Sequence, residues 1–238
     1  MLQEPHGDGS AHLISLRQSR WDDAEGNLSV LERTRAARFA SDLDRQRYAR
    51  LRLFTRTHLA ECYGVDTGEV ELARAPCARC GDKTHGAPIA KIGAFVVQLS
   101  LSRSGDVGGL LVGGTHPVGL DIEHEFQPDI FAAVWGVLSE SEIAALSEAG
   151  QLHDAAVLTR AWTRKEAVMK AIGIGFFLDP KLVDVRPECA GQVIARCNEP
   201  GWESNWDVHS IRAGALHLAA AFRDPPAGEF RCIDHGSE

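Results

Sequence analysis

The sequence lacks any uninterrupted apolar run approaching the ~20 residues of a membrane-spanning helix, which excludes an integral helical membrane protein. It also lacks a basic segment followed by an apolar stretch at its start, MLQEPHGDGSAHLISL, so no secretory signal is visible. Without an export route, the six cysteines (Cys62, Cys77, Cys80, Cys189, Cys197, Cys232) are expected as thiols, and the cytoplasm is the default address. Positive net charge is missing too. A formal charge of −8 and a pI near 5.7 argue against bulk nucleic-acid binding. Short repeats and low-complexity tracts are absent, which excludes fibrous and disordered chains. What is present is an ordinary globular composition, 44% hydrophobic and 24% charged over 238 residues, enough to bury a core.

The charge is unevenly spread. Eight arginines fall between Arg33 and Arg56, against Asp42 and Asp44 as the fixed negative charges in that window. Such a cluster in an acidic chain points to an anionic ligand or an acidic partner, with a solvated helix face as the plain alternative. Arg47, Arg52 and Arg56 are the members placed to reach anionic groups.

Turn signals divide the chain into strand-like and helix-like pieces. His12 to Leu16 reads as a strand, Asn27 to Phe39 as a weak helix, and residues 43–62 as a strong helix closed by Gly64. Tyr48, Leu51, Thr55, Leu59 and Cys62 fall along one stripe of that helix. The segment APCARCGDKTHGAP has no periodicity and reads as a loop. Ala94 to Leu101 and Gly109 to Val112 read as strands joined by a turn at residues 104–106. A second series starts with a strand at Val118 to Glu123 and a helical stretch from Pro128 to Leu138. A capping box follows at Ser139 to Glu142, then the clearest helix, Asp154 to Ile172, closed by Gly173. Strand-like runs near Leu182–Val185, Trp206–Ile211 and Ala215–Phe222 complete it. This order predicts an α+β fold of two halves, residues 1–116 and 117–238, rather than one doubly wound sheet.

Asp121 and Glu123 lie two apart on a strand, so both carboxylates leave the same face. Held that close they repel unless a proton or a cation separates them, and Mg²⁺ takes oxygen ligands of this kind. A lone D-x-E facing water is the common case, and the motif needs a partner. The helix offers one. Trp162, Glu166 and Lys170 recur every four residues on one face, and a large aromatic there favours a core or cleft over an exposed ion pair.

Val118-Gly-Leu-Asp-Ile-Glu123, followed by Trp162-Thr-Arg-Lys-Glu-Ala-Val-Met-Lys170, resembles the two-part signature of 4'-phosphopantetheinyl transferases of the surfactin type. The Gly173-Ile-Gly175-Phe176 turn, the arginine-rich helix, the Cys-Ala-Arg-Cys loop and Leu99-Ser-Leu-Ser-Arg-Ser-Gly105 sit where that family has comparable segments. The resemblance implies two similar α+β halves with the active site in the cleft between them. It implies transfer of the phosphopantetheine arm of coenzyme A to a serine of an acyl or peptidyl carrier protein, releasing 3',5'-ADP. Asp121, Glu123 and Glu166 would hold Mg²⁺, and Glu166 would take the serine proton, directly or through water. Lys170 would stabilise the leaving nucleotide and Lys165 would contact a coenzyme A phosphate, with Ser102, Arg103, Arg47 and Arg52 as further coenzyme A contacts. A monomer without nucleic-acid or membrane partners is expected.

Two positions depart from the family pattern. Arg103 stands where the family usually has histidine, and Ala87 where it commonly has lysine or arginine. The alternative is therefore a repurposed member of the same fold that binds a coenzyme A-like ligand or a carrier protein without transfer. Cys77, Cys80 and His85 have some zinc character, but no second CxxC is present and a fourth ligand is not evident. His116 and His124 flank the carboxylate strand and are expected as surface or packing residues. Ile130, Phe131 and Trp135 are expected in the core, with an exposed subset able to dock a carrier-protein helix.

Overall fold

In the computed structural model, which describes residues 9–17, 24–174, 177–224 and 229–235, two helix-on-sheet layers pack through their sheets. The first sheet contains β1 (Ser10–Ser15), β2 (Val70–Arg74), β3 (Pro88–Ile92), β4 (Phe95–Ser104) and β5 (Val107–Gly114). Helices α1 (Val30–Ala36) and α2 (Asp42–Tyr63) lie between β1 and β2 in the chain. The second sheet contains β6 (Val118–His124), β7 (Val183–Asp184), β8 (Val193–Cys197), β9 (Ser204–Ala213) and β10 (Leu216–Phe222). Helices α3 (Phe131–Trp135), α4 (Glu140–Glu148) and α5 (Ala155–Ile172) precede β7. The last strand, β11 (Arg231–Asp234), returns to the first sheet and pairs in parallel with β1, giving the order β11-β1-β5-β4-β3-β2. The second sheet is antiparallel throughout, in the order β6-β10-β9-β8-β7. The mixed α+β class is as expected. The chain changes sheet between β5 and β6, near the expected 116/117 division, but residues 231–234 cross back.

Strand alternation assigns each side chain to a layer. On β5, Leu110 and Val112 pack with Leu51, Phe54 and Leu59 of α2, while Leu111 turns to the second sheet. On β10, Ala219 and Ala221 pack under Ala167, Val168 and Ala171 of α5, while Leu218, Ala220 and Phe222 turn to the first sheet. The expected α2 stripe is buried at Leu51, Thr55 and Leu59, but Cys62 is exposed and the buried Phe54 belongs with it. Phe131 and Val134 of α3 join Leu146, Leu158 and Ala161 in a satellite cluster, leaving Ile130 exposed.

The long helices are fixed by local chemistry. Ser41 and Asp154 cap the N-termini of α2 and α5, and Gly64 and Gly173 end them at φ +64° and +77°, a conformation glycine reaches without a Cβ clash. Ser139 and Glu142 form the expected capping box of α4. Gly119 has a different reason to be glycine. A Cβ there would come within 1.8 Å of the Ala167 carbonyl oxygen, so β6 and α5 meet backbone to backbone. The glycine turn anticipated at 173–176 is described only to Ile174; Gly175 and Phe176 lie outside the described residues.

Candidate active site

The contact at Gly119 brings the two motifs together. Lys170 donates to Asp121 Oδ1 at 2.5 Å, to the Leu120 carbonyl at 3.1 Å and to Ser102 Oγ at 3.2 Å. Trp162, Glu166 and Lys170 are all half-buried while their neighbours 163–165 and 167–169 are buried, so the stripe is the exposed margin of α5. The Trp162 ring meets Phe126 edge-on at 6.2 Å.

The second partner comes from the other sheet. β6 is an edge strand, and an edge leaves N–H groups without ladder partners. Ser100, Ser102 and Ser104 of β4 accept from the N–H groups of Leu120, Ile122 and His124 at 2.9, 3.1 and 3.1 Å. Two of these hydroxyls then donate onward, Ser102 to Asp121 Oδ1 and Ser104 to Glu123 Oε2, both at 3.0 Å. The serines join the two sheets and aim the two carboxylates. Only Ser102 was anticipated from sequence, as a coenzyme A contact; its hydroxyl serves Asp121, Ile122 and Lys170 instead. The signal for the others was the alternation Ser-x-Ser-x-Ser, which matches the D-x-E alternation facing it. His124 adds a contact to Ser104 Oγ at 3.1 Å, a packing role as expected.

The carboxylates are poorly compensated. Asp121 is 3% exposed, and its Oδ2 is buried without a hydrogen-bond partner. Burial pushes its pKa above the usual range despite Lys170 and Ser102. Glu123 is raised by burial and then by the charge of Asp121, and Glu166 likewise. Three oxygen donors, two of them raised further by the charge of Asp121 and one with an orphaned buried oxygen, fit a hard divalent cation such as Mg²⁺.

The remaining expected contacts do not gather there. Lys165 is 1% exposed, and its ammonium is bound by Glu142 Oε2 at 2.7 Å and the carbonyls of Pro180 and Val183. Its three donors are used, so the phosphate contact anticipated for Lys165 has no ammonium to make it. The neighbouring Arg164, 0% exposed, is likewise structural, donating to Ser210 Oγ and to the carbonyls of Val185, Arg186 and Gly191. Burial lowers the Arg164 pKa to about 10. Arg52 and Arg56 both pair with Glu32, a residue just outside the arginine window, so neither presents its charge to a ligand as anticipated. Arg47 is held by Asp106 and Asp44. Arg103 faces away from the serines along β4, pairing with Asp44 at 3.0 Å with its guanidinium over the Phe39 ring at 5.2 Å.

Residues 117–221 match the sequence model of the 4'-phosphopantetheinyl transferase superfamily. A curated protein of Thraustochytrium sp. named phosphopantetheinyl transferase is 31% identical over 164 residues, 63% of this chain and 54% of that protein. The chain thus spans about half the length of the relative it matches. No helix among the described residues is long and apolar enough to cross a membrane. The matched region contains β6, α5 and all three carboxylates, and there the likeness to 4'-phosphopantetheinyl transferases read from the two motifs holds.

Proposed function

We propose that the protein transfers the 4'-phosphopantetheine arm of coenzyme A to a serine hydroxyl of an acyl or peptidyl carrier protein, releasing 3',5'-ADP. The observation that carries this reading is the buried, unpartnered Oδ2 of Asp121 beside Glu123 and Glu166. Asp121, Glu123 and Glu166 would hold Mg²⁺. Bound there, the ion supplies neutralising charge to the pyrophosphate as its P–O bond breaks.

The chain's own residues supply the rest. Glu166, its pKa raised by burial and by Asp121, suits the proton acceptor for the attacking serine, because a base works best with a pKa near the operating pH. Lys170, hydrogen-bonded to Asp121 on one side and partly exposed on the other, is placed to balance charge on the departing 3',5'-ADP. Ser102 and Ser104 keep two carboxylates fixed while this happens. On this reading the two halves would be the layers of α2 on the first sheet and α5 on the second, and the serine bonds from β4 to β6 support a site at the line between them.

The test is a mass spectrum. The protein is incubated with Mg²⁺, coenzyme A and apo carrier proteins of fatty-acid, polyketide and peptide type. A phosphopantetheine increment on one carrier, absent with Asp121→Asn, is the expected result. No increment on any carrier, with coenzyme A binding intact by calorimetry, would establish the alternative of a repurposed binding protein.

A further inference from the structure

We propose that Cys77, Cys80 and His85 form a zinc site in the loop between β2 and β3. The loop, residues 75–87, contains neither helix nor strand, and its base is closed by a single backbone bond from Ala75 N–H to the Ala87 carbonyl at 2.9 Å. Loops of this length without internal structure need another source of order or serve a function.

The ligand atoms of Cys77, Cys80 and His85 all lie within 4.8 Å of one another. Cys80 Sγ and His85 Nε2 are 3.3 Å apart, close to the ~3.5 Å separating two ligands that share one tetrahedral ion at ~2.3 Å (S) and ~2.0 Å (N). The backbone is wound for this. Cys77 and Cys80 flank a tight turn in which the Gly81 N–H meets the Cys77 carbonyl at 2.7 Å and Gly81 takes φ +76°. The N–H groups of Arg79 and Cys80 point at the Cys77 sulfur, an arrangement that favours a thiolate.

The turn is closed a second time by Cys77 N–H, which donates to the Asp82 carbonyl at 2.8 Å. Asp82 Oδ1 accepts from Thr84 N–H at 2.7 Å, while Oδ2 lies 4.0 Å from His85 Nε2. Two thiolates and an imidazole fill three positions of a tetrahedral shell and leave the fourth to water or another ligand. Sulfur ligands select zinc over magnesium, so this site does not compete with the carboxylates for the same ion.

The site would fasten one layer to the other. Cys77 belongs to the first layer's loop yet packs in the core of the second with Ala167 and Leu178. Arg79 donates to the Phe177 carbonyl at 2.9 Å, and the His85 ring lies 5.6 Å from the Phe177 ring.

The assignment is independent of the transfer reaction. Protein purified without chelator is analysed for metal by plasma mass spectrometry, together with Cys80→Ser, His85→Ala, Asp121→Asn and His58→Ala. One zinc per chain is expected in the parent, Asp121→Asn and His58→Ala proteins, with at least a tenfold loss in Cys80→Ser and His85→Ala. Cys80 is exposed and His85 half-buried, so these variants avoid the core position of Cys77. Cobalt exchanged into the parent should give a thiolate charge-transfer band that Cys80→Ser diminishes. A zinc-free parent that takes up no added zinc would overturn the proposal. So would zinc retained by Cys80→Ser and His85→Ala but lost in His58→Ala, because His12, His58 and His235 form a separate group within 4.8 Å.

Discussion

Two buried acidic regions of this molecule have opposite electrostatics. In the first layer Glu32 is 3% exposed, and burial alone would raise its pKa. The charge of Arg52, the Ser29 N–H and hydrogen bonds from Arg56 and Arg52 outweigh that and hold it at about 2. In the second layer Asp121, Glu123 and Glu166 share one ammonium, from Lys170, and all three are raised. The same cost of burial is met by cations in one place and left standing in the other. A region that stays uncompensated in a folded protein is a candidate functional site.

The pair can be tested from both sides. Glu32→Ala leaves two arginines buried without their partner and should cost ~3–5 kcal/mol of folding stability in urea unfolding. Because the Glu32 pKa is lowered on folding, its contribution is present above the ordinary carboxylate range and is lost as pH falls toward about 2. Asp121→Asn should reduce transfer ~10²–10³-fold while the fold, read by circular dichroism, is kept. Full activity in that variant would remove Asp121 from the site. Ser104→Ala frees the Glu123 carboxylate and should weaken Mg²⁺ affinity ~10-fold in a titration of activity against metal, with stability nearly unchanged.

Glu166→Gln in EDTA should behave opposite to Glu32→Ala. The Glu166 pKa is raised on folding, so the wild-type carboxylate favours the folded state only while protonated and loses that advantage as pH rises through the folded pKa. The amide should therefore raise the melting temperature by ~2–4 °C at pH ~8, a gain that disappears toward pH ~4.5. A destabilised Glu166→Gln at pH ~8 would show that the carboxylate is compensated after all. Arg103→Ala removes a solvent-screened pair with Asp44 and should leave the urea midpoint nearly unchanged. A larger loss in coenzyme A KM than in stability would identify Arg103 as a ligand contact.

Helices and motifs were legible in the sequence because their signals are local. Ser41, Gly64, Asp154 and Gly173 mark helix ends within a turn of the chain, and D-x-E with the Trp162-Glu166-Lys170 stripe requires only strand and helix periodicities. β2, β3, β8 and β11 were not anticipated. They are short, and three of them pair with strands far away in the sequence or sit beside an aperiodic loop. Lys165 was misassigned for a reason that periodicity itself contains. A residue one step from Glu166 points ~100° away around the helix, here into the core and Glu142. The arginine cluster looked available because its main counter-charge, Glu32, lies just before the window and Asp106 lies on a hairpin some sixty residues on. Pairing across that distance has no local signature.

The parallel pairing of β11 with β1 sets an order of events during synthesis. β1 leaves the ribosome before every other described strand, yet its outer neighbour, residues 231–234, is made after all of them. Until then the first layer carries an open strand edge while α2 and β5 can already pack. Premature termination before residue 231 would therefore expose an aggregation-prone edge in a nascent chain whose carboxylate site, on β6 and α5, was already complete.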